Sequence, residues 1–308
     1  YDFWYFASQL ALKQMKDEKK RREDKVAELK EFIQRFSSNA SKAKQATSRK
    51  KLIDKLTIDD IKPSSRKFPY VDFKPDRDPG NNILTIENLN KTVDDEHVLK
   101  DFSLTVNKGD KIAFVGPMHA AKTALYDILS GVTEADSGEF EWGVTITTDY
   151  FPKDNADYFE NEYSIVEWLQ QYTEEEEESF VRGFLGRMLF SGEESLKKVK
   201  VLSGGEKVRC MLSKLMLGGA NALIFDEPTN HLDLESITAL NNGLIKYPGI
   251  LLFNSHDHQF VHSTANRIIE FTPDGIIDRM MPFDEYLVNE DVKTLRDSLW
   301  HGHHDLSI

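Results

Sequence analysis

The first part of the chain places apolar residues at helical spacing among charged ones. Residues 5–35 contain no Gly or Pro, and the apolar positions there form one stripe on a helix. The stripe consists of Leu10, Met15, Val26, Leu29, Ile33 and Phe36. After Ser37-Ser38-Asn39 interrupts the pattern, a second helical segment is predicted from about residue 40 to 56. We predict a helical hairpin over residues 1–62 and, because prolines recur after it, an extended linker over 63–82.

From Ile83 onward, short apolar runs typical of buried strands alternate with helical segments. Strands are predicted at residues 83–89, 98–106, 111–116, 221–226, 250–254, 268–271 and 275–279. Helices are predicted at residues 122–130 and 234–246, and residues 164–200 are predicted as an inserted helical part. Such alternation favours an α/β domain with a largely parallel sheet. We expect this domain to cover residues 83–290 and a C-terminal tail to cover residues 291–308.

The charge of the chain is unevenly divided. The formal net charge is −13, but residues 1–68 carry a net charge of +8 and the remainder −21. A basic block joined to an acidic block suggests that one part meets a polyanion while the other has a different task.

The cysteine count and the hydropathy of the chain bear on its cellular compartment and on membrane association. The single cysteine, Cys210, cannot form an intrachain disulfide, which fits a reducing compartment and a cytoplasmic protein. No apolar run approaches the roughly 18–20 residues that span a bilayer, so no membrane association is expected. The opening Tyr1-Asp2-Phe3-Trp4 shows no secretory signal, and we interpret it as the cut edge of a longer protein.

A glycine-led loop stands between a predicted strand and a predicted helix. Gly116-Pro117-Met118-His119-Ala120-Ala121-Lys122-Thr123 matches the P-loop pattern GxxxxGK[ST], except that Ala121 replaces the second Gly. Such a loop wraps phosphates with its backbone N–H groups; Lys122 would meet the β- and γ-phosphates, and the hydroxyl of Thr123 would hold Mg²⁺. The ring of His119 adds bulk there and could donate to the phosphates or obstruct them. The alternative is an ordinary strand–loop–helix corner.

Two further motifs carry chemistry. The apolar run Ala222–Phe225 ends in Asp226 and Glu227, as expected of a buried strand that delivers carboxylates at its tip. Asp226 should hold Mg²⁺ through water, and Glu227 should polarise the attacking water as general base, unless the two acids merely cap a turn before Pro228. The turn that opens a helix suits a phosphate and consists of Ser203, Gly204, Gly205 and Glu206. Together the motifs imply nucleotide hydrolysis.

The tip of the predicted hairpin is free of acids. No Asp or Glu occurs between Glu31 and Asp54. Small polar residues are interspersed there with the six cations Arg35, Lys42, Lys44, Arg49, Lys50 and Lys51. This composition suits contact with the phosphate backbone of RNA. The alternative is a solvated, charged helical pair.

The turn at Ser203 and the strand that ends at Asp226 resemble the signature and Walker B sequences of ATP-binding cassette ATPases. The resemblance covers roughly residues 83–290 and implies a P-loop NTPase cassette, with a mixed sheet and antiparallel β and helical subdomains, preceded by an α-helical hairpin. It implies that ATP and Mg²⁺ are the cofactors and that His256 is the switch histidine that contacts the γ-phosphate.

Two positions depart from the cassette pattern. Lys153 stands where the Q-loop glutamine is expected. Val93 stands near the position of the aromatic side chain that stacks on adenine. Because base–aromatic stacking is worth about 1–3 kcal/mol, we expect weaker or less base-selective nucleotide binding.

Within the superfamily, the chain resembles the C-terminal half of an ABC-F protein, the ribosome-associated branch. This resemblance rests on the Tyr1–Trp4 opening, the hairpin, residues 39–46 and the D-loop sequence Asn230–Asp233. It implies a translation factor in which two tandem cassettes sandwich two ATPs, with the signature of one cassette completing the site of the other. The implied partners are the ribosome with its tRNA and rRNA, and the missing first cassette of the same polypeptide or a second copy of the chain.

Two alternatives remain open at this point. The chain could be the ATPase subunit of a membrane transporter, against which the basic hairpin argues. It could also be a non-hydrolysing nucleotide- or RNA-binding module, which the two replaced P-loop glycines favour. His301, His303 and His304 could bind a metal, although a flexible tail is the expected interpretation.

Overall fold

The computed structural model of the protein describes residues 68–175 and 177–300. The chain divides into two compact units, Tyr1–Arg66 and Lys67–Ile308, and the described residues belong to the second. The predicted hairpin lies outside the described residues, as do its six cations Arg35, Lys42, Lys44, Arg49, Lys50 and Lys51.

The described part contains nine strands and eight α-helices, numbered here in chain order. The strands are β1 Leu84–Val93, β2 Glu96–Val106, β3 Lys111–Val115, β4 Ser137–Trp142, β5 Thr148–Phe151, β6 Ala222–Asp226, β7 Ile250–Asn254, β8 Arg267–Thr272 and β9 Gly275–Arg279. The helices are α1 His119–Leu129, α2 Ile165–Gln170, α3 Glu178–Arg187, α4 Gly204–Leu217, α5 Leu234–Lys246, α6 His258–Thr264, α7 Phe283–Val288 and α8 Glu290–Leu299. Three short 3₁₀ turns, at Ala156–Phe159, Gly192–Leu196 and Val199–Val201, complete the set.

The strands form two sheets. The order of the three-stranded sheet is β2-β1-β4, and its strands are antiparallel. The order of the six-stranded sheet is β5-β6-β7-β3-β8-β9, in which only β9 runs antiparallel to its neighbour. Parallel neighbours end at the same edge of a sheet. The loops that follow β3, β6 and β7 therefore meet there.

The central strands are buried on both faces because helices cover the sheet. Every residue of β6 and β7 is buried, which explains why their sequences are continuous apolar runs rather than alternating ones. The polar side chains at their ends, Asp226 and Asn254, are 0% and 2% exposed. Buried polar side chains therefore lie at the carboxyl ends of these strands, at one edge of the sheet.

The predicted α/β cassette fold is confirmed, with the mixed sheet and antiparallel subdomain that the resemblance implied. The helical part between residues 164 and 200 differs from a continuous helical segment. It consists of α2 and α3 followed by 3₁₀ turns, and the chain after α3 passes through Leu189 at φ +68°. Within the described residues, no helix combines the length and apolarity needed to cross a bilayer.

The segment before β1 has no regular element, yet part of it belongs to the core. Phe73 is 3% exposed, and its ring meets those of Phe225 and Tyr247 edge-on at 5.8 and 6.2 Å. The backbone N–H of Asp76 donates to the carbonyl of Gly219 at 2.9 Å. Part of the segment predicted as an extended linker, around Phe73 and Asp76, therefore packs on the cassette.

The chain after residue 290, predicted as a tail, begins with helix α8. Val292 is 0% exposed, and the guanidinium of Arg296 pairs at 2.7 Å with the carboxylate of Glu270, itself 2% exposed. The hydroxyl of Tyr286 donates to the same carboxylate at 2.6 Å. Residues 290–299 are therefore anchored on β8, while His301, His303 and His304 lie outside the described residues.

The anchoring of α8 has a measurable consequence for stability. We expect Val292→Ala to lower the free energy of unfolding by about 2 kcal/mol, since it removes about two buried CH₂ equivalents and leaves a small cavity. Urea unfolding measures the change. The matched control is Val288→Ala, because Val288 in α7 is 67% exposed and should lose almost nothing. Equal, small losses for both variants would contradict the packing of α8.

Candidate active site

The candidate site lies where β3, β6 and β7 end side by side. Residues 116–123 form the loop after β3 and the first turn of α1. Strand β6 ends in Asp226 and is followed by Glu227, and β7 ends in Asn254, two residues before His256. Sheet register places Asp226 opposite Asn254. Three of the sequence motifs are thus brought together by the topology alone.

The first glycine of the loop after β3 is required by both conformation and space. Gly116 has φ +92°, in the left-handed region that glycine adopts freely. A Cβ at Gly116 would lie 2.4 Å from the carbonyl oxygen of Phe271. The two replaced glycine positions differ from it, because His119 and Ala121 lie in the first turn of α1 with helical backbone. Neither position therefore demands glycine, and the Ala121 methyl is buried at 1% exposure.

Lys122 lies in the first turn of α1, and its side chain reaches back to this loop. Its side chain is buried, and its ammonium donates to the carbonyl of Gly116 at 2.8 Å. Burial lowers the pKa of Lys122, while the carboxylates of Glu227 and Asp226 act in the opposite direction. A charged lysine clamped under the loop, at a helix start that no side chain caps, can receive a phosphate.

Thr123 and Asp226 form an oxygen-only pair. The Thr123 hydroxyl donates to Asp226 Oδ2 at 2.6 Å, and Asp226 Oδ1 accepts from the Asn254 amide at 2.9 Å. Hydroxyl and carboxylate oxygens at hydrogen-bonding separation are the ligand types that Mg²⁺ prefers, usually with several waters retained. The predicted metal-binding residues therefore fit Mg²⁺.

Glu227 is buried and strained. It adopts φ +51°, an uncommon conformation for a side chain of this size, and its side chain is 3% exposed. Oε1 lies 3.2 Å from His256 Nε2, whereas Oε2 is buried without a hydrogen-bond partner among the described residues. Burial raises the pKa of Glu227, opposed by the charges of His256 and Lys122. A carboxylate with a raised pKa is a better proton acceptor.

Asn254 is the functional residue that the sequence analysis missed. Its amide donates to Asp226 Oδ1 at 2.9 Å and to Glu227 Oε1 at 3.3 Å, and its Oδ1 accepts from the backbone N–H of Glu227 at 3.1 Å. One side chain thereby positions both acids and supports the strained backbone between them. The only signal in the sequence was a polar residue that ends a fully apolar strand.

Two histidine rings face the same space. The centroids of His119 and His256 are 5.2 Å apart, and the His256 side chain is 68% exposed. Partial burial and the charge of Lys122 lower the pKa of His119, which favours its neutral form. Lys153 acts on the same groups, because its charge lowers the pKa values of His119, Lys122 and Glu227.

Val93, which stands near the predicted position of the adenine-stacking side chain, ends β1 and is exposed.

The signature turn is built on the start of α4. Ser203 caps the helix by accepting from the N–H of Glu206, whose carboxylate accepts from the N–H of Ser203 and pairs with Lys197 at 3.0 Å. Its glycines leave room for the D-loop. A Cβ atom at Gly204 would lie 3.2 Å from His231 Cβ, and one at Gly205 would lie 3.0 Å from the His231 carbonyl oxygen. The signature turn therefore abuts the D-loop.

A second contact joins Thr229, the first residue of the D-loop stretch 229–233, to the loop after β7 that carries His256. The hydroxyls of Thr229 and Ser255 are 2.8 Å apart, and His231 adopts φ +64°. The sequence analysis did not identify this pair, since serine and threonine in loops are common. The D-loop thus touches the signature turn on one side and the loop of His256 on the other.

Comparisons with known proteins assign the class of this domain. A family model described as ABC transporter matches residues 99–230, and a second with the same description matches residues 1–73. A nucleotide-free ATP-binding cassette from an ABC transporter has the same fold, with a TM-score of 0.55 and 18% identity over 69% of this chain and 97% of that one. The chain therefore contains an ABC transporter ATP-binding cassette domain with the P-loop ABC ATPase fold.

Curated relatives place the chain more narrowly. It is 62% identical over 295 residues to the ABC transporter ATP-binding protein YkpA of Bacillus subtilis, covering 95% of this chain and 55% of that protein. It is 30% identical over 269 residues to ABC transporter F family member 5 of Arabidopsis thaliana, covering 86% of this chain and 39% of that protein. Its homologues thus include ABC-F family members, and the chain spans about half the length of the curated relatives it matches.

Proposed function

We propose that this chain is the C-terminal half of an ABC-F-type ATPase that binds the ribosome in the cytoplasm. The observation that carries the hydrolytic part is the arrangement around Glu227, a buried carboxylate with a raised pKa beside an oxygen pair suited to Mg²⁺. The ABC-F relative and the cationic composition of residues 35–51 support the ribosomal part.

The residues divide the work of ATP hydrolysis. Lys122 and the N–H groups at the start of α1 would bind the phosphates. Thr123 and Asp226 would hold Mg²⁺, which when bound would neutralise charge on the phosphates. Glu227 accepts the proton of the attacking water at its carboxylate. His256, whose Nε2 lies 3.2 Å from Glu227 Oε1, contacts the γ-phosphate. Lys153 can reach the phosphates as a further cation, whereas the ring of His119 adds bulk beside them.

The signature turn serves a different nucleotide. Gly204 and Gly205 lie against the D-loop residue His231. We propose that the turn formed by Ser203, Gly204, Gly205 and Glu206 completes the ATP site of a partner cassette. The partner is the first cassette of the same polypeptide or a second copy of this chain. This chain alone should consequently hydrolyse ATP slowly.

The direct test uses the full-length protein with Glu227→Gln, which should hold ATP without hydrolysing it. We expect it to co-sediment with ribosomes in the presence of ATP and to be released without ATP. Absence of association under both conditions would contradict the ribosomal role while leaving the ATPase chemistry intact. Capture with membrane proteins instead would favour the transporter subunit.

The non-hydrolysing module remains the second candidate because His119 and Ala121 replace loop glycines. Both positions already have a helical backbone, so the backbone there does not require glycine. We expect His119→Gly with Ala121→Gly to tighten ATP binding about tenfold, or about 1.4 kcal/mol, chiefly because the imidazole is removed from the phosphate site. Calorimetric titration measures it. The control, Ala121→Gly alone, should leave the dissociation constant unchanged; weaker binding by the double variant would show that His119 contacts phosphate.

A further inference from the structure

We propose that His119, Glu227 and His256 form a binding site for a borderline divalent metal ion such as Zn²⁺. The site adjoins the oxygen-only pair Thr123–Asp226 that suits Mg²⁺ but shares no ligand with it. The inference concerns this chain's own side chains and does not rest on a role at the ribosome.

The geometry supports a three-ligand site. One ligand atom from each of the three residues lies within 4.8 Å of the other two. His256 Nε2 and Glu227 Oε1 are 3.2 Å apart. With metal–ligand bonds of about 2.0–2.2 Å, ligands of a tetrahedral Zn²⁺ ion are separated by about 3.4 Å. The Glu227–His256 pair already has this separation, and the exposed ring of His119 needs to move by little more than 1 Å, roughly the difference from a tetrahedral spacing.

The ligand chemistry selects the class of metal. Two imidazoles and one carboxylate with an open fourth position match Zn²⁺, whereas Mg²⁺ prefers oxygen ligands alone. Glu227 Oε2 is buried and has no hydrogen-bond partner among the described residues, so a carboxylate oxygen is available where a cation would compensate it. His119 supplies the ligand that a glycine at this position could not.

The proposed ion would compete with nucleotide. Its three ligands come from the P-loop, from the residue after β6 and from the loop after β7, and the same side chains line the proposed phosphate site. A metal ion that ties them together occupies Glu227 and His256. We therefore expect Zn²⁺ and ATP with Mg²⁺ to exclude one another, so that Zn²⁺ inhibits hydrolysis.

The test is a titration of the nucleotide-free chain with ZnCl₂ in buffer that contains Mg²⁺. Calorimetry should detect one site per chain. The background carries His301→Gln, His303→Gln and His304→Gln so that the terminal imidazoles do not contribute. His119→Gln and His256→Gln should each weaken binding at least about tenfold, since even outer partners of metal ligands change affinity about 10–100-fold. Saturating ATP should raise the apparent dissociation constant for Zn²⁺.

A matched control exists in the same domain. His258 and His262 lie on one face of α6, each 3.2 Å from an oxygen of Asp284, with parallel rings whose centroids are 6.4 Å apart. Changing both to Gln should leave the affinity unchanged. Thermal unfolding confirms that each variant is folded, and the visible spectrum of Co²⁺ reports the coordination directly. Equal affinity with and without His119, or no saturable binding above the control, would overturn the site; binding unaffected by ATP would overturn the competition.

Discussion

Glu227→Gln is expected to slow ATP hydrolysis at this site at least about 100-fold, the range typical of a lost general base. The amide keeps an acceptor for Asn254, whose side chain lies 3.3 Å from Glu227 Oε1, so the packing of the site should survive. It cannot take a proton from water. Nucleotide affinity should stay within a few-fold, because Lys122, Thr123 and Asp226 are unchanged.

The measurement is single-turnover hydrolysis in the full-length protein with the first cassette inactivated, so that only this site reports. Glu139→Gln serves as the matched control, since Glu139 is exposed in β4 of the other sheet. Hydrolysis at the parental rate in Glu227→Gln would remove this carboxylate from the chemistry. A folded variant that loses ATP binding would instead assign Glu227 a binding role.

Replacing Lys42, Lys44, Arg49 and Lys50 with Gln is expected to weaken ribosome binding and to flatten its salt dependence. Each cation that neutralises a phosphate releases a counterion, so the slope of log affinity against log salt should fall by roughly 3–4 units if all four contact phosphates. Affinity measured between about 50 and 200 mM salt gives the slope. ATP hydrolysis by the isolated protein should be unchanged.

The control for charge alone changes four exposed lysines of the cassette to Gln. These are Lys100, Lys108, Lys246 and Lys293. Because residues 69–308 carry a net charge of −21, the cassette offers few other routes to a polyanion, and the control should keep the parental slope. The same slope in both sets of variants would reduce the hairpin to a spacer between cassettes.

The cassette fold could be predicted because its central strands β3, β6 and β7 are short apolar runs that follow one another between loops and helices. The helix over 234–246 and the strand over 250–254 begin and end as predicted. Helix α8 could not be found in this way, since five of its ten residues are charged and its apolar stripe consists only of Val292, Leu295 and Leu299. An apolar stripe that small cannot be distinguished from a solvated tail.

The residue types of the candidate site could be predicted from the sequence, but the side chain that positions them could not. The motifs indicated Lys122, Asp226 and Glu227, whereas Asn254 became visible only when register placed it beside both acids. The sequence also left open whether Ala121 is tolerated, because this depends on a backbone angle that residue names do not carry. The helical conformation at Ala121 answers it.

The contact between Thr229 and Ser255 has a consequence for the timing of ATP hydrolysis at two sites. One short loop lies between the groups proposed to surround the ATP held here and the turn proposed to face the ATP of a partner cassette. In the proposed assembly of two cassettes, a movement of His256 on loss of the γ-phosphate would pass through Ser255 and Thr229 to His231, which lies against Gly204 and Gly205. We therefore expect hydrolysis of one ATP to change the rate at which the second is hydrolysed.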